Sequence, residues 1–197
     1  SGFNSTALGR EANASGTGAQ ALGYKVNASG NYSQASGYQA TAKGDRSIAL
    51  GKDTTADASN AIAIGTGATT QGISTVALGS GSKAGAARAT ALGRSALASR
   101  TDSTAVGFSA TASGITSLAV GVGAEATGST AVAIGNGSSA TRTSSLAIGT
   151  GARSEISLGT AIGAGAEAMQ ALDGSQSSVT LGMKGNGTTD YFLPGLA

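Results

Sequence analysis

The sequence predicts an all-β fold: a parallel β-roll, or solenoid, of 14-residue coils. Three observations predict it. Close variants of the pattern [S/A]-x-A-[L/I/V]-G recur twelve times at an unbroken interval of 14 residues. Their glycines are Gly9, Gly23, Gly37, Gly51, Gly65, Gly79, Gly93, Gly107, Gly121, Gly135, Gly149 and Gly163. Small and large side chains alternate with a period of two before each of these glycines. Gly, Ala, Ser and Thr supply 123 of the 197 residues, and Leu, Ile, Val and Phe together stay below one fifth. That composition excludes a thick core of large side chains. A net charge of only +2 removes the self-repulsion that usually accompanies disorder at such low apolar content.

With the repeated glycine as position 0, each coil divides into four parts. The first is a strand. Position −2 is always Ala, from Ala7 and Ala21 to Ala147 and Ala161, and position −4 is small, as in Ser5, Ala19, Ser33 and Ser47. Positions −1 and −3 are mostly large or β-branched, as in the pairs Leu50 with Ile48 and Ile134 with Val132. The glycine is the second part, a corner, where φ > 0 costs least. The third part is another strand, with small residues at +3 and +5 (Ala40 and Ala42, Ala110 and Ala112) and mainly polar ones at +2, +4 and +6. The fourth is a second corner at +7, often glycine again: Gly16, Gly30, Gly44, Gly72, Gly114 and Gly128. A helix is excluded, because two glycines per repeat would each cost about 1 kcal/mol there. Coils stacked about 4.8 Å apart give twelve coils a height of roughly 58 Å.

The small columns fill the coil, so the large ones point outward. The outward set is Leu8, Leu22, Ile48, Leu50, Ile62, Ile64, Val76, Leu78, Leu92, Val106, Leu118, Val120, Val132, Ile134, Leu146, Ile148 and Ile162. A stripe of this length exceeds what most monomers leave in water. It predicts self-association through the first strand's outer face in a closed cyclic oligomer. The competing arrangement is a thicker coil with these residues inside and the alanines outside.

The run S-x-A-[L/I/V]-G-x-x-A-x-A, whose first half reads Ser47–Gly51 and Ser145–Gly149, resembles the head repeat of YadA-like trimeric autotransporter adhesins, bacterial haemagglutinin-type surface proteins. The resemblance spans residues 3–182. It implies a homotrimer of left-handed parallel β-rolls exposed on the bacterial outer surface. The membrane anchor, and usually a coiled-coil stalk, are expected outside this chain. It also implies attachment to host matrix proteins such as collagen or fibronectin, to host cells or cell-surface glycans, or to other copies. Three departures stand out. Ser36 replaces the large −1 residue, and the interval from Gly163 to Gly182 is 19, with an insertion around Ala171–Gly174. Periodicity also stops after Gly182, so residues 1–182 read as the β-roll and 183–197 as a cap or the start of a neck or next module.

Two clusters are candidate ligand contacts. No acidic residue lies between Asp57 and Asp102, whereas Lys83, Arg88, Arg94 and Arg100 do, a basic belt suited to sulfated glycans or acidic proteins. Tyr24 and Tyr38 share column +1, with Tyr32 between them in sequence; they read as a contact patch or as an aromatic ladder covering a corner.

Enzymatic chemistry has no visible support. Absence of Cys and His removes thiolate nucleophiles, imidazole bases and nearly every structural zinc site. The carboxylates form no pair at fixed spacing, the glycine corners lack the Lys-Ser/Thr of a phosphate loop, and the Asp-containing calcium nonapeptide is missing. No enzyme, cofactor, metal or nucleic-acid partner is expected. No apolar run reaches the ~18 residues of a membrane span. A chain starting at Ser1 is expected to be excised from a longer one, with any signal peptide outside it. Two other functions fit less well. Ice binding needs a long threonine ladder, and column +4 offers Thr41, Thr55 and Thr69 before Lys83 and Leu97 break it. A phage or appendage fibre segment would share the trimeric shaft.

Overall fold

The computed structural model describes residues 2–168, 178–181 and 191–194. The chain is a parallel β-solenoid of about twelve turns. Its residues group into two compact units, 1–102 and 103–197. In the first, long strands at positions −3 to −1 stack in parallel, from Thr6–Leu8 and Gln20–Leu22 to Val76–Leu78 and Thr90–Leu92. Short strands at +4 and +5, from Asn13–Ala14 to Leu97–Ala98, make a second parallel sheet. The second unit repeats the arrangement from Thr104–Val106 and Thr111–Ala112 to Thr160–Ile162 and Glu167–Ala168. Register is column to column throughout, as in Ile48↔Ile62, Ala49↔Ala63 and Leu50↔Ile64. A slip of one residue would turn every inward alanine to solvent, which fixes the pairing.

The core is built almost wholly of methyl groups and hydroxyls. The −2, −4, +3 and +5 columns are buried in almost every described coil, and the largest fully buried side chains are Val26, Thr54, Thr70 and Thr75. The large −1 and −3 residues are not among them, so the thicker-coil arrangement is excluded. Each alanine methyl contributes only about 1 kcal/mol on burial. Cohesion therefore rests on the backbone ladders and on stacking each coil against its neighbours. Many inward hydroxyls are satisfied by the corners, although the buried Ser47 Oγ and Ser154 Oγ have no partner among the described residues. Ser33 Oγ donates to Gly30 O at 2.7 Å, Thr75 Oγ1 to Gly72 O at 2.7 Å, and Ser82 Oγ to Gly79 O at 2.8 Å.

The two halves of a coil follow nearly one rule. Seven residues separate the two glycine columns, the inward pairs −4/−2 and +3/+5, and the outward pairs −3/−1 and +4/+6. Most corners are β-turns closed by an N–H···O bond over three residues, as in Ala19 N→Gly16 O at 3.2 Å and Ala68 N→Gly65 O at 3.1 Å. The third residue of each turn, at −5 or +2, has φ between 53° and 68° whether or not it is glycine: Asn4, Glu11, Lys25, Tyr32 and Arg46 all adopt it. The corners differ at their glycines. Column 0 holds φ near +130°, and a Cβ there would also strike the next coil, 2.3 Å from Gly135 O in the case of Gly121. Column +7 does not use positive φ, contrary to the expectation from sequence. Its glycines serve close approach instead: a Cβ on Gly30 would lie 2.0 Å from Gly44 O. One constraint instead of two explains why column +7 also admits Ala58, Ala86, Arg100, Arg142 and Ile156, whereas column 0 has no exception.

The 19-residue interval appears in the strand pairing. Thr160–Ile162 pairs with Ser178–Leu181 in the register Thr160↔Val179 and Ile162↔Leu181, which accommodates the longer interval. Tyr191–Pro194 then adds antiparallel to Ser178–Leu181. The insertion around Ala171–Gly174 lies outside the described residues.

Candidate functional site

The outer face of the long strands is the first candidate surface. In residues 1–102 it carries two apolar columns side by side, Ile48, Ile62 and Val76 next to Leu50, Ile64 and Leu78, with Thr90 and Leu92 following in register. In residues 103–168 the corresponding rows are Leu118/Val120, Val132/Ile134 and Leu146/Ile148, flanked by Val106 and Ile162. Stacking along the column half-buries most of these side chains, but Leu78 remains 46% exposed and Leu8 70%. At the start of the chain the face is more polar: Thr6, Gln20 and Gln34 occupy −3, and Ser36 stands between Leu22 and Leu50. Among the described residues no charged side chain lies in either column.

The short-strand face and the corners are the opposite in character. All charged side chains of the described coils lie there, and many meet a partner one coil away. Lys43 Nζ is 2.8 Å from Asp57 Oδ1, and Lys25 Nζ is 3.7 Å from Glu11 Oε2. Arg46 Nε donates to Asn60 Oδ1 at 2.9 Å. Arg153 pairs with Glu155 within its own coil. Exposed pairs of this kind add little stability individually. They do line up side chains into fixed rows on a rigid surface.

The basic belt is dispersed by the fold. Arg88 and Arg94 sit at opposite ends of the strand Thr90–Leu92, Lys83 projects from the short-strand face, and Arg100 lies on the corner shared with Arg88. Arg88 makes a bidentate pair with Asp102 on the next coil, at 2.6 and 2.8 Å. Hydrogen bonding to that guanidinium, with its charge, holds the Asp102 carboxyl below its ordinary range, and the carboxylate raises Arg88 in turn. Lys83, by contrast, makes no ion pair among the described residues, and with Thr69, Gln71 and Gly85 it lines a shallow depression on the short-strand face.

The tyrosines separate. Tyr24 and Tyr38 stack in column +1 with centroids 5.4 Å apart. Arg10 lies over Tyr24 at 5.5 Å and Lys52 over Tyr38 at 5.7 Å, so a four-member cation–π ladder runs along the corner. Lys25 also reaches Tyr24, and its ammonium is raised by hydrogen bonding to Tyr24 and by the charge of Glu11. Arg10 and Lys52 share column +1, and this shared spacing was the signal that could have added them. Tyr32 is not between these rings. It occupies column −5 on the opposite corner, 64% exposed, with its ring over Gly18. The second unit has an apolar corner that sequence reading missed, Phe108 and Val122 in column +1, 43% and 49% exposed. Among the described residues no cluster of three or more acidic side chains is placed to hold a metal ion.

No curated protein matches the chain. The YadA head domain repeat (2 copies) matches nine segments: residues 1–25, 28–54, 42–68, 56–82, 71–96, 84–110, 98–124, 112–138 and 126–152. The crystal structure of the collagen-binding domain of the Yersinia adhesin YadA is similar, at 27% identity and a TM-score of 0.53 over 80% of this chain and 78% of that one. This chain belongs to the YadA head-domain family and is an adhesin-type head.

Proposed function

We propose that three copies of the chain pack the outer faces of their long strands around a common axis, and that the resulting shaft, displayed on the bacterial cell surface, attaches cells to host matrix proteins, to host-cell glycans or to one another. One observation carries the assembly. The two halves of each coil share a seven-residue spacing and small inward residues, so coil folding makes similar demands on −3/−1 and on +4/+6. Columns +4 and +6 are mainly polar or charged, with Leu97 an exception, whereas −3 and −1 are mostly Leu, Ile and Val, with some Thr, Gln and Ser and no charge among the described residues. The apolar choice is superfluous for the coil and suits a partner surface. The copy number follows the family, and a cyclic arrangement hides the stripe in every copy.

Adhesion then comes from the remaining outward columns by repetition. Weak contacts at each coil, tripled by assembly, multiply through effective concentration without requiring one deep pocket. The similar Yersinia domain is a collagen-binding one, which supports a matrix protein as ligand here. Lys83 and the Tyr24–Tyr38 ladder are the candidate contacts, with Tyr32, Arg94 and Arg100 on other parts of the surface. The proposal involves no bond chemistry, cofactor or nucleic acid.

Light scattering after size exclusion tests the assembly. The expected mass is three chains. Paired Ile62→Lys and Ile64→Lys changes, both outward, are expected to give a folded monomer that no longer retains immobilised collagen or fibronectin. A wild-type chain that is folded and monomeric at micromolar concentration overturns the reading.

A further inference from the structure

Six of the seven asparagines, Asn4, Asn13, Asn27, Asn31, Asn136 and Asn186, begin the sequence Asn-x-Ser/Thr with x other than proline. Ser and Thr are about a quarter of all residues, so chance placement gives about two such cases. The coil sorts the five described ones by whether the hydroxyl remains readable. Ser33 and Ser138, two residues after Asn31 and Asn136, are fully buried and donate to Gly30 O at 2.7 Å and Gly135 O at 3.0 Å. Thr6, after Asn4, lies on the long-strand face that neighbouring copies cover in the proposed assembly. Ser15 and Ser29, after Asn13 and Asn27, are exposed, and both asparagines stand at +4 on the polar short-strand face, away from the apolar columns.

We propose that Asn13 and Asn27 are acceptors of an N-linked sugar, an inference that rests on display of the chain at the cell surface. The donor is a sugar activated through a phosphate at C1, on a nucleotide or a lipid carrier. Asn Nδ2 attacks C1, the C1–O bond to phosphate breaks, the phosphate carrier leaves with the electron pair, and Nδ2 gives up one proton. The coil tolerates the product. Asn13 Nδ2 donates to Asn27 Oδ1 at 3.2 Å, and a glycosylated amide nitrogen keeps one hydrogen for that bond. Neither sugar meets the self-association face, so modification and assembly are compatible.

Peptide mapping by mass spectrometry, on the protein isolated from the surface of the cells that make it, tests the assignment. Sugar is expected on the peptides containing Asn13 and Asn27. Ser15→Ala is expected to abolish the mass increment at Asn13 alone, and Ser29→Ala the one at Asn27 alone, while the light-scattering mass stays that of wild type. A structural role for the Asn13–Asn27 pair would leave both serine variants silent. Additional sugar on Asn31 and Asn136 would mean transfer to the unfolded chain, as from a nucleotide-linked donor before export. Sugar confined to Asn13 and Asn27 would mean transfer to the folded coil, as from a lipid-linked donor afterwards. Unmodified asparagine at both positions overturns the proposal, and because the assembly is measured separately, that result leaves the adhesin reading intact.

Discussion

Gly135 and Gly137 lie two residues apart on one corner, both at positive φ, and the fold predicts very different costs for alanine at each. Gly137 has φ of 63°, and a Cβ there meets nothing within 4 Å. An L-residue in this region costs about 1–2 kcal/mol, and the loss of glycine's freedom in the unfolded chain returns about half of that. Other coils already carry Glu11, Lys25, Gln39 and Asp53 at the same position. Gly137→Ala is therefore expected to cost about 1 kcal/mol. Gly135 has φ of 134°, which no other residue type adopts in the described chain. Its Cβ would stand 2.4 Å from Gly149 O and 2.6 Å from Gly149 C, where ordinary contact begins at 3.4 Å. The obstacle is backbone, so the coils must part by about 1 Å in a stack whose rungs are ~4.8 Å apart. That strains Gly149 N→Ile134 O and Gly151 N→Asn136 O, both 2.8 Å. Two weakened bonds at about 1 kcal/mol each and a glycine-only dihedral at about 1–3 kcal/mol put Gly135→Ala at about 3–5 kcal/mol.

Thermal unfolding at one fixed protein concentration measures the difference, since the proposed association would make Tm concentration-dependent. For a chain of this size each kcal/mol moves Tm by about 2–4 °C. Gly137→Ala should lower Tm by a few degrees and Gly135→Ala by about 6–20 °C on the same scale. Hydrogen exchange should locate the second defect in the coils on either side of residue 135. Equal losses for the two variants would refute the account of column 0 as a contact between coils, leaving only a generic preference for glycine in turns.

Two further outcomes follow. Ile156 replaces the second-corner glycine while Gly159 replaces the usual Ser or Ala at −4, and a Cβ on Gly159 would lie 2.5 Å from Ile156 Cγ1 and 2.7 Å from Ser154 Oγ. Gly159→Ala alone should destabilise by about 1–3 kcal/mol through overpacking, and adding Ile156→Gly should recover most of it; additive losses in denaturant titrations would disprove the size exchange. Acid titration reports on Arg88 and Asp102. Because the folded Asp102 carboxyl lies below its ordinary value of 3.8, its contribution is complete above that value and fades as pH falls through the lower folded one. Arg88→Gln should return the carboxyl to its ordinary range by carbon NMR; an unchanged titration would show that Arg88 does not govern it.

The architecture was legible because it depends on a few contacts repeated at fixed spacing. Twelve glycines in register announce a corner where side chains are forbidden, and alternating Ala and Leu or Ile announce which face is filled. What sequence could not supply was the way corners rotate columns apart. Tyr32 falls between Tyr24 and Tyr38 in the chain, yet the seven-residue half-coil places it at the other end of the long strand. Arg88 is likewise matched with Asp102, 14 residues on, through a stack that linear proximity to Arg94 does not reveal. The φ demand was misassigned at column +7 for a related reason. Glycine suits both positive φ and close approach, and composition alone does not separate the two.

The corners also bear on how such a surface can change. Inward columns admit Ala, Ser and Thr, with Val26 and Gly159 as exceptions, and no side chain larger than Val26 is fully buried there. Outward positions carry no such limit: column +1 alone holds Arg10, Tyr24, Lys52, Thr66, Phe108 and Asn136 without any change of backbone rule. Ligand contacts on this scaffold can therefore vary coil by coil at little cost in stability, provided the −3/−1 columns stay free of charge. In the proposed assembly a lysine on that face would be carried into the contact between copies, where desolvation without a partner is expensive. The absence of charge from the −3/−1 face is thus the constraint that the proposed assembly would impose, whereas the variety on the other face and on the corners suits an adhesive surface of repeated weak contacts.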